Sequence, residues 1–61
     1  MADGYRAFLL GRDGHVFGRV DFYCETEEEA KQRAQLLVDG HDVELWQEAR
    51  KIATFIATQV H

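Results

Sequence analysis

Apolar positions along this chain follow two rhythms: alternating runs stand on either side of a stretch with helical spacing, giving the order strand, strand, helix, strand, strand. In the first half Tyr5, Ala7 and Leu9 alternate with Arg6, Phe8 and Leu10. After a break, Val16, Gly18, Val20 and Phe22 alternate with Phe17, Arg19, Asp21 and Tyr23. The intervening Asp13-Gly14 predicts a type I′ hairpin, because Asp tolerates and Gly prefers positive φ. A two-residue loop there pairs Arg12 with His15, Arg6 with Asp21 and Tyr5 with Phe22. Moving the loop to Arg12-Asp13 would set Arg6 against Arg19, a like-charge pair that the first register avoids.

The helix has a clear start. Thr26 followed by Glu29 is a capping box, in which the hydroxyl accepts from the Glu29 backbone N–H and the carboxylate reaches back. Glu27, Glu28 and Glu29 suit the positive end of the helix dipole. Ala30, Ala34, Leu37 and Val38 then form one narrow apolar stripe, and Gly40 is expected to end the helix in the left-handed C′ conformation. Val43 and Leu45 alternate with Glu44 and Trp46 in the third strand.

The last turn is open to two readings. A two-residue loop at Glu48-Ala49 pairs Leu45 with Ile52 and turns Ile52, Thr54 and Ile56 inward. A three-residue loop over residues 48–50 buries Ala53, Phe55 and Ala57 instead. The first is preferred because a buried Ile contributes roughly 1.5–3 kcal/mol and a small core can ill spare two. Residues 58–61 are expected to fray.

These elements predict an α+β domain of ββαββ order spanning residues 1–61, with a four-stranded, largely antiparallel sheet and the helix packed on one face. Strand order 2-1-3-4 leaves neighbours antiparallel with the helical crossover spanning the first strand. One helix covers one side only. The uncovered side then carries Phe8, Leu10, Phe17, Tyr23, Trp46 and, in strict alternation, Phe55, with Arg6 and Arg19 among them.

Composition sharpens this picture. A chain of 61 residues buries only about 60% of the surface its unfolded form exposes, so a disulfide, a metal or a partner subunit is the usual supplement. The single Cys24 cannot form an internal disulfide, and the three histidines are scattered, which leaves a partner subunit. A net charge of −4 argues against nucleic acid and anionic membranes, both of which reward excess Lys and Arg. The longest apolar run, residues 7–10, is too short for a membrane span or a signal-peptide core. The expected setting is therefore a reducing cytoplasm with a free thiol.

Candidate chemistry is sparse. Asp39, His41 and Asp42 bring carboxylates beside an imidazole, yet such residues ordinarily serve as helix-stop and turn chemistry. Cys24 lies next to a run of glutamates that opposes thiolate formation, and a structural thiol is the reading adopted. Gly11, Gly14 and Gly18 lack the strand-loop-helix context of a phosphate-binding loop. No catalytic, cofactor or metal site is expected, and the protein is read as non-enzymatic.

The segment Val38-Asp39-Gly40-His41-Asp42-Val43-Glu44-Leu45-Trp46, with Arg50-Lys51-Ile52-Ala53 after it and Tyr5-Arg6-Ala7 and Arg12-Asp13-Gly14-His15 before it, resembles a group of short bacterial proteins, mainly of alphaproteobacterial type. The resemblance covers most of the chain and implies a bacterial source, while bringing no catalytic residues. In that group a glycine often stands in the final turn, where this chain has Glu48-Ala49.

The functional expectation rests on the uncovered face. Arg6, Phe8, Leu10, Phe17, Arg19, Tyr23 and Trp46 are the candidate interface of a homodimer or other protein contact. A small-ligand or single-stranded nucleic-acid binder using the same aromatic and basic side chains is the alternative, opposed by Asp21 and Glu44 on that face.

Overall fold

The computed structural model describes residues 1–57; residues 58–61, expected to fray, lie outside them. The chain runs β1 (Asp3–Leu10), β2 (Val16–Cys24), α1 (Glu27–Leu36), β3 (Asp42–Gln47) and β4 (Arg50–Phe55). The four strands form one antiparallel sheet in the order β2-β1-β3-β4, as the alternation and the crossover argument predict. The helix lies on one face, chiefly over β3.

That packing is made possible by small side chains. Ala30 and Ala34 are wholly buried on α1, and the sheet meets them with Tyr5, Ala7, Cys24, Val43 and Leu45. With only methyl side chains on the buried face of the helix, the helix axis comes close enough for Leu45 and Val43 to be enclosed completely. Leu9, Val20, Phe22, Leu37, Val38, Ile52 and Phe55 pack around this centre, half-buried. Tyr5 and Phe22 stack across the β1–β2 pair, their ring centroids 6.1 Å apart.

The first hairpin departs from the expected type I′ turn. Gly14 N–H donates to the Gly11 carbonyl at 3.0 Å and Gly11 N–H to the His15 carbonyl at 2.8 Å, so the loop is Arg12-Asp13-Gly14, three residues long. Only Gly14 has positive φ, at 84°. A type I′ turn would have forced Asp13 into the left-handed region as well. The longer loop spares it that strain and leaves Asp13 Oδ1 free to accept from His15 N–H at 3.1 Å. The odd loop would put every later residue of β2 on the wrong face, and a bulge corrects it. Leu10 pairs with Val16 and Leu9 with Gly18, so Phe17 is the extra residue. Beyond the bulge the pairs Arg6–Asp21 and Tyr5–Phe22 stand as expected. Before it Val16 sits opposite Leu10, on the outer face and not the inner one.

The second hairpin combines features of both loop readings. Gln47 pairs with Arg50 around the two-residue loop Glu48-Ala49, and then Trp46 pairs with Lys51 but Leu45 with Ala53, leaving Ile52 as the bulged residue. Phe55 therefore lies opposite Val43, inside, while Thr54 lies opposite Glu44, outside, and Ile56 is exposed. The expectation that Thr54 and Ile56 face inward is corrected, as is the placing of Phe55 on the uncovered side. The physical reason is parity. Ile52 and Phe55 are three residues apart, so strict alternation cannot bury both, whereas an inserted residue at Ile52 lets both pack against the core.

At the helix start Thr26 Oγ1 accepts from Glu29 N–H at 3.1 Å. The reciprocal half of the box is replaced: the Glu29 carboxylate turns to Arg33, 3.8 Å away. The helix also stops earlier than Gly40. Leu37 is the C-cap, and the chain tightens there, with Leu37 N–H donating to Ala34 C=O at 3.0 Å and Val38 N–H to Gln35 C=O at 3.2 Å. This tightening turns Leu37 and Val38 onto the core. Gly40 has φ 75° in the bend that leads to β3.

Two stability predictions arise. Thr26→Ala removes the cap acceptor and is expected to lower unfolding free energy by about 1 kcal/mol, read as a lower denaturant midpoint. Glu48 holds φ 55°, the one positive φ outside glycine among the described residues. Glu48→Gly is expected to raise stability by roughly 0.5–1 kcal/mol by relieving it, and a lowered midpoint would contradict this reading of the turn.

Candidate interaction surface

The pairing places the outer side chains in rows across the sheet. Asp21, Arg6, Trp46 and Lys51 make one row, Arg19, Phe8, Glu44 and Thr54 the next, and Val16, Leu10 and Asp42 a third. Tyr23 stands beside Gly4 at the end of the β1–β2 pair. Arg6, Phe8, Leu10, Arg19, Tyr23 and Trp46 thus share the face away from the helix, as their alternation predicts.

At the centre Phe8 and Trp46 meet edge to face, with ring centroids 6.2 Å apart. Both are half-buried, because long charged side chains lie around them. Trp46 Nε1–H donates to Glu44 Oε1 at 3.1 Å, and Lys51 Nζ donates to the other oxygen of that carboxylate at 3.3 Å. Arg6 Nε–H donates to Asp21 Oδ1 at 2.9 Å, and Arg19 Nε lies 3.6 Å from Asp21 Oδ2. Tyr23 is the widely exposed aromatic of this group, at 72%.

Phe17 belongs elsewhere. As the bulged residue of β2 it meets the His41 ring edge-on at 5.1 Å, next to Gly11 at the end of the sheet, and stays 61% exposed. The structure does not bring it to Phe8 and Trp46. Conversely, Val16, Asp42 and Thr54 join the outer face. The placement of Val16 and Thr54 depends on the two bulges, for which alternation alone offers no signal.

The charges are unevenly distributed. Of seven cations and eleven carboxylates in the chain, three cations (Arg6, Arg19, Lys51) and three carboxylates (Asp21, Asp42, Glu44) lie on the outer face. That face is neutral. The remaining four cations stand against eight carboxylates, so the whole net charge of −4 lies on the other surfaces.

The other candidate groups are occupied with structure. Asp42 Oδ1 accepts from Ala57 N–H at 2.8 Å, tying the end of β4 to β3, and His41 Nδ1 lies 3.4 Å from the Asp42 carbonyl. Asp13 and His15 pair at 2.6 Å in the exposed first turn, and the hydrogen bond from His15 holds the Asp13 carboxyl below its ordinary range. Arg50 bridges Gln47 and Glu27 and, by hydrogen bonding, lowers the Glu27 carboxyl, so the second hairpin is fastened to the helix start. Burial, with Asp3 nearby, pushes the Tyr5 phenol up. Among the described residues, no group of three or more His, Cys, Asp and Glu is disposed to hold a metal ion. Among them, too, no helix is long and apolar enough to cross a membrane.

No family model, no curated protein and no solved structure matches the chain.

Cys24 closes β2 and is buried in the core beside Ala30 and Ala34. Its thiol is therefore expected to react with a disulfide reagent only when the domain opens. The labelling rate should rise with denaturant in step with the unfolded fraction, and fast labelling of the native protein would show a reactive site.

Proposed function

We infer that the protein is a non-enzymatic interaction module that self-associates through the outer face of its sheet, with Arg6, Phe8, Leu10, Arg19, Tyr23 and Trp46 as the contact. The observation that supports this reading is the charge distribution. A copy of an acidic protein approaches another against repulsion everywhere except where charges cancel, and here they cancel on the one sheet face that no helix covers. The face also carries both signs in an ordered pattern around an aromatic pair, so a two-fold axis can bring opposite charges together at its rim. A single-stranded nucleic acid or anionic ligand would find Arg6, Arg19 and Lys51 already within 4 Å of carboxylates.

Trp46 is the chain's single tryptophan and reports directly on this surface. Its emission is expected to move to shorter wavelength as the protein is concentrated, because the half-exposed indole becomes enclosed. Leu10→Lys places a charge on the face opposite Asp42, where the monomer tolerates it, and is expected to weaken association by about 2 kcal/mol, as loss of a buried anchor does. Emission that stays constant up to high micromolar concentration would remove the support for this contact.

A further inference from the structure

The sheet is open, and its two edges differ. β4 is a six-residue edge with a bulge in the middle and Arg50 and Lys51 at its start, features that discourage another strand. β2 is a nine-residue edge whose bulge lies near its beginning, leaving a regular stretch from Gly18 onward. On the helix side of this edge, Val20, Phe22, Arg33, Leu36 and Leu37 line an apolar groove of about 350 Å³. Leu36, on the helix above it, is 83% exposed. The helix lies chiefly over β3 and next over β2, so that Val20 and Phe22 are half-buried at the open side of this groove.

The residues of the edge are arranged symmetrically. Counting outward from Val20, Arg19 is matched by Asp21, Gly18 by Phe22, and the exposed Phe17 by the exposed Tyr23. We propose that a second copy of this chain pairs its β2 antiparallel to β2 about a two-fold axis at Val20, continuing the sheet across both molecules. In that register Arg19 of each copy stands directly opposite Asp21 of the other on the outer face, giving two ion pairs related by the axis. Asp21 Oδ2 lies 3.6 Å from its own Arg19, beyond hydrogen-bond reach, and among the described residues it accepts no hydrogen bond, so it is available to the second copy.

On the inner face the register sets Val20 against Val20 and Phe22 against Gly18, an aromatic beside an edge glycine. The two apolar grooves become one beneath both helices, and Leu36 of each copy overhangs it. Other registers lose the match. Displacing the axis by one residue sets Asp21 against Asp21 or Arg19 against Arg19, like charges across the axis, and displacing it to Phe22 opposes Arg19 to Glu25 but Asp21 to Tyr23.

The pairing shares Arg19 with the outer-face contact but not Trp46, and a variant that loses mass while keeping the concentration-dependent shift of Trp46 emission has lost this pairing and not that contact. Trp46 lies on β3, two strands away from this edge, so its emission reads that contact and is silent on this one.

Charge reversal tests the register. Arg19→Asp and Asp21→Arg change exposed side chains, and circular dichroism checks that each variant folds. Each alone sets like charges across the axis, and each is expected to sediment at half the wild-type mass. In an equimolar mixture, one chain carries aspartate at both positions and the other carries arginine at both. Every cross-axis pair is then again an aspartate facing an arginine, and the mixture is expected to regain the wild-type mass. Single variants that keep the wild-type mass, or a mixture of folded chains that remains at half of it, would overturn the pairing. A structural role for Arg19 within one molecule would give no recovery on mixing.

Discussion

The close approach of one short helix to the sheet through Ala30 and Ala34 is the constraint on which the rest of this structure depends. Two alanines give the helix little apolar bulk of its own, so the enclosed volume comes from the sheet, from Val43 and Leu45 above all. A helix of ten residues cannot span four strands evenly. It sits over β3, and the outer rows are closed by the turn that follows it, where Leu37 and Val38 fold down, and by Phe55 and Ile52 from β4. The face that the helix does not reach and the open groove at the β2 edge are where the molecule has surface to offer.

Much of this is legible from residue order. The strand-helix-strand sequence, the order of strands, the Thr26 cap and the inward row of Val43 and Leu45 all follow from patterns that local chemistry enforces. The parity of the strands beyond their turns is not legible. Whether Phe55 or Thr54 faces the core depends on one inserted residue, and Ile52 looks like any other strand isoleucine until the whole core is assembled. The same holds for Phe17. Its neighbours supply a correct register at one end of the hairpin and a false one at the other. The helix end misleads for a related reason: Gly40 is suited to positive φ and has it, but the pull of Leu37 and Val38 toward the core ends the helix first.

The candidate surface shows how alternation and electrostatics divide the work. Alternation is enough to collect Arg6, Phe8, Arg19 and Trp46 on one side. It does not show that the arginines and Lys51 are already partnered, and this matters more for function than the count of cations. A basic aromatic face with free guanidinium groups and one with ion-paired groups share nearly the same sequence, yet the first attracts phosphate and the second is suited to another mixed surface.

Each hairpin has a bulge a few residues beyond its turn, at Phe17 in β2 and at Ile52 in β4. These bulges separate the length of a turn from the identity of the buried residues. In a strictly alternating hairpin, adding or deleting one loop residue would exchange inside for outside along the entire strand. Here the bulge acts as a phase adjuster between loop and core: a loop one residue shorter or longer keeps Val20, Phe22 and Phe55 in their places when the bulge is lost or gained with it.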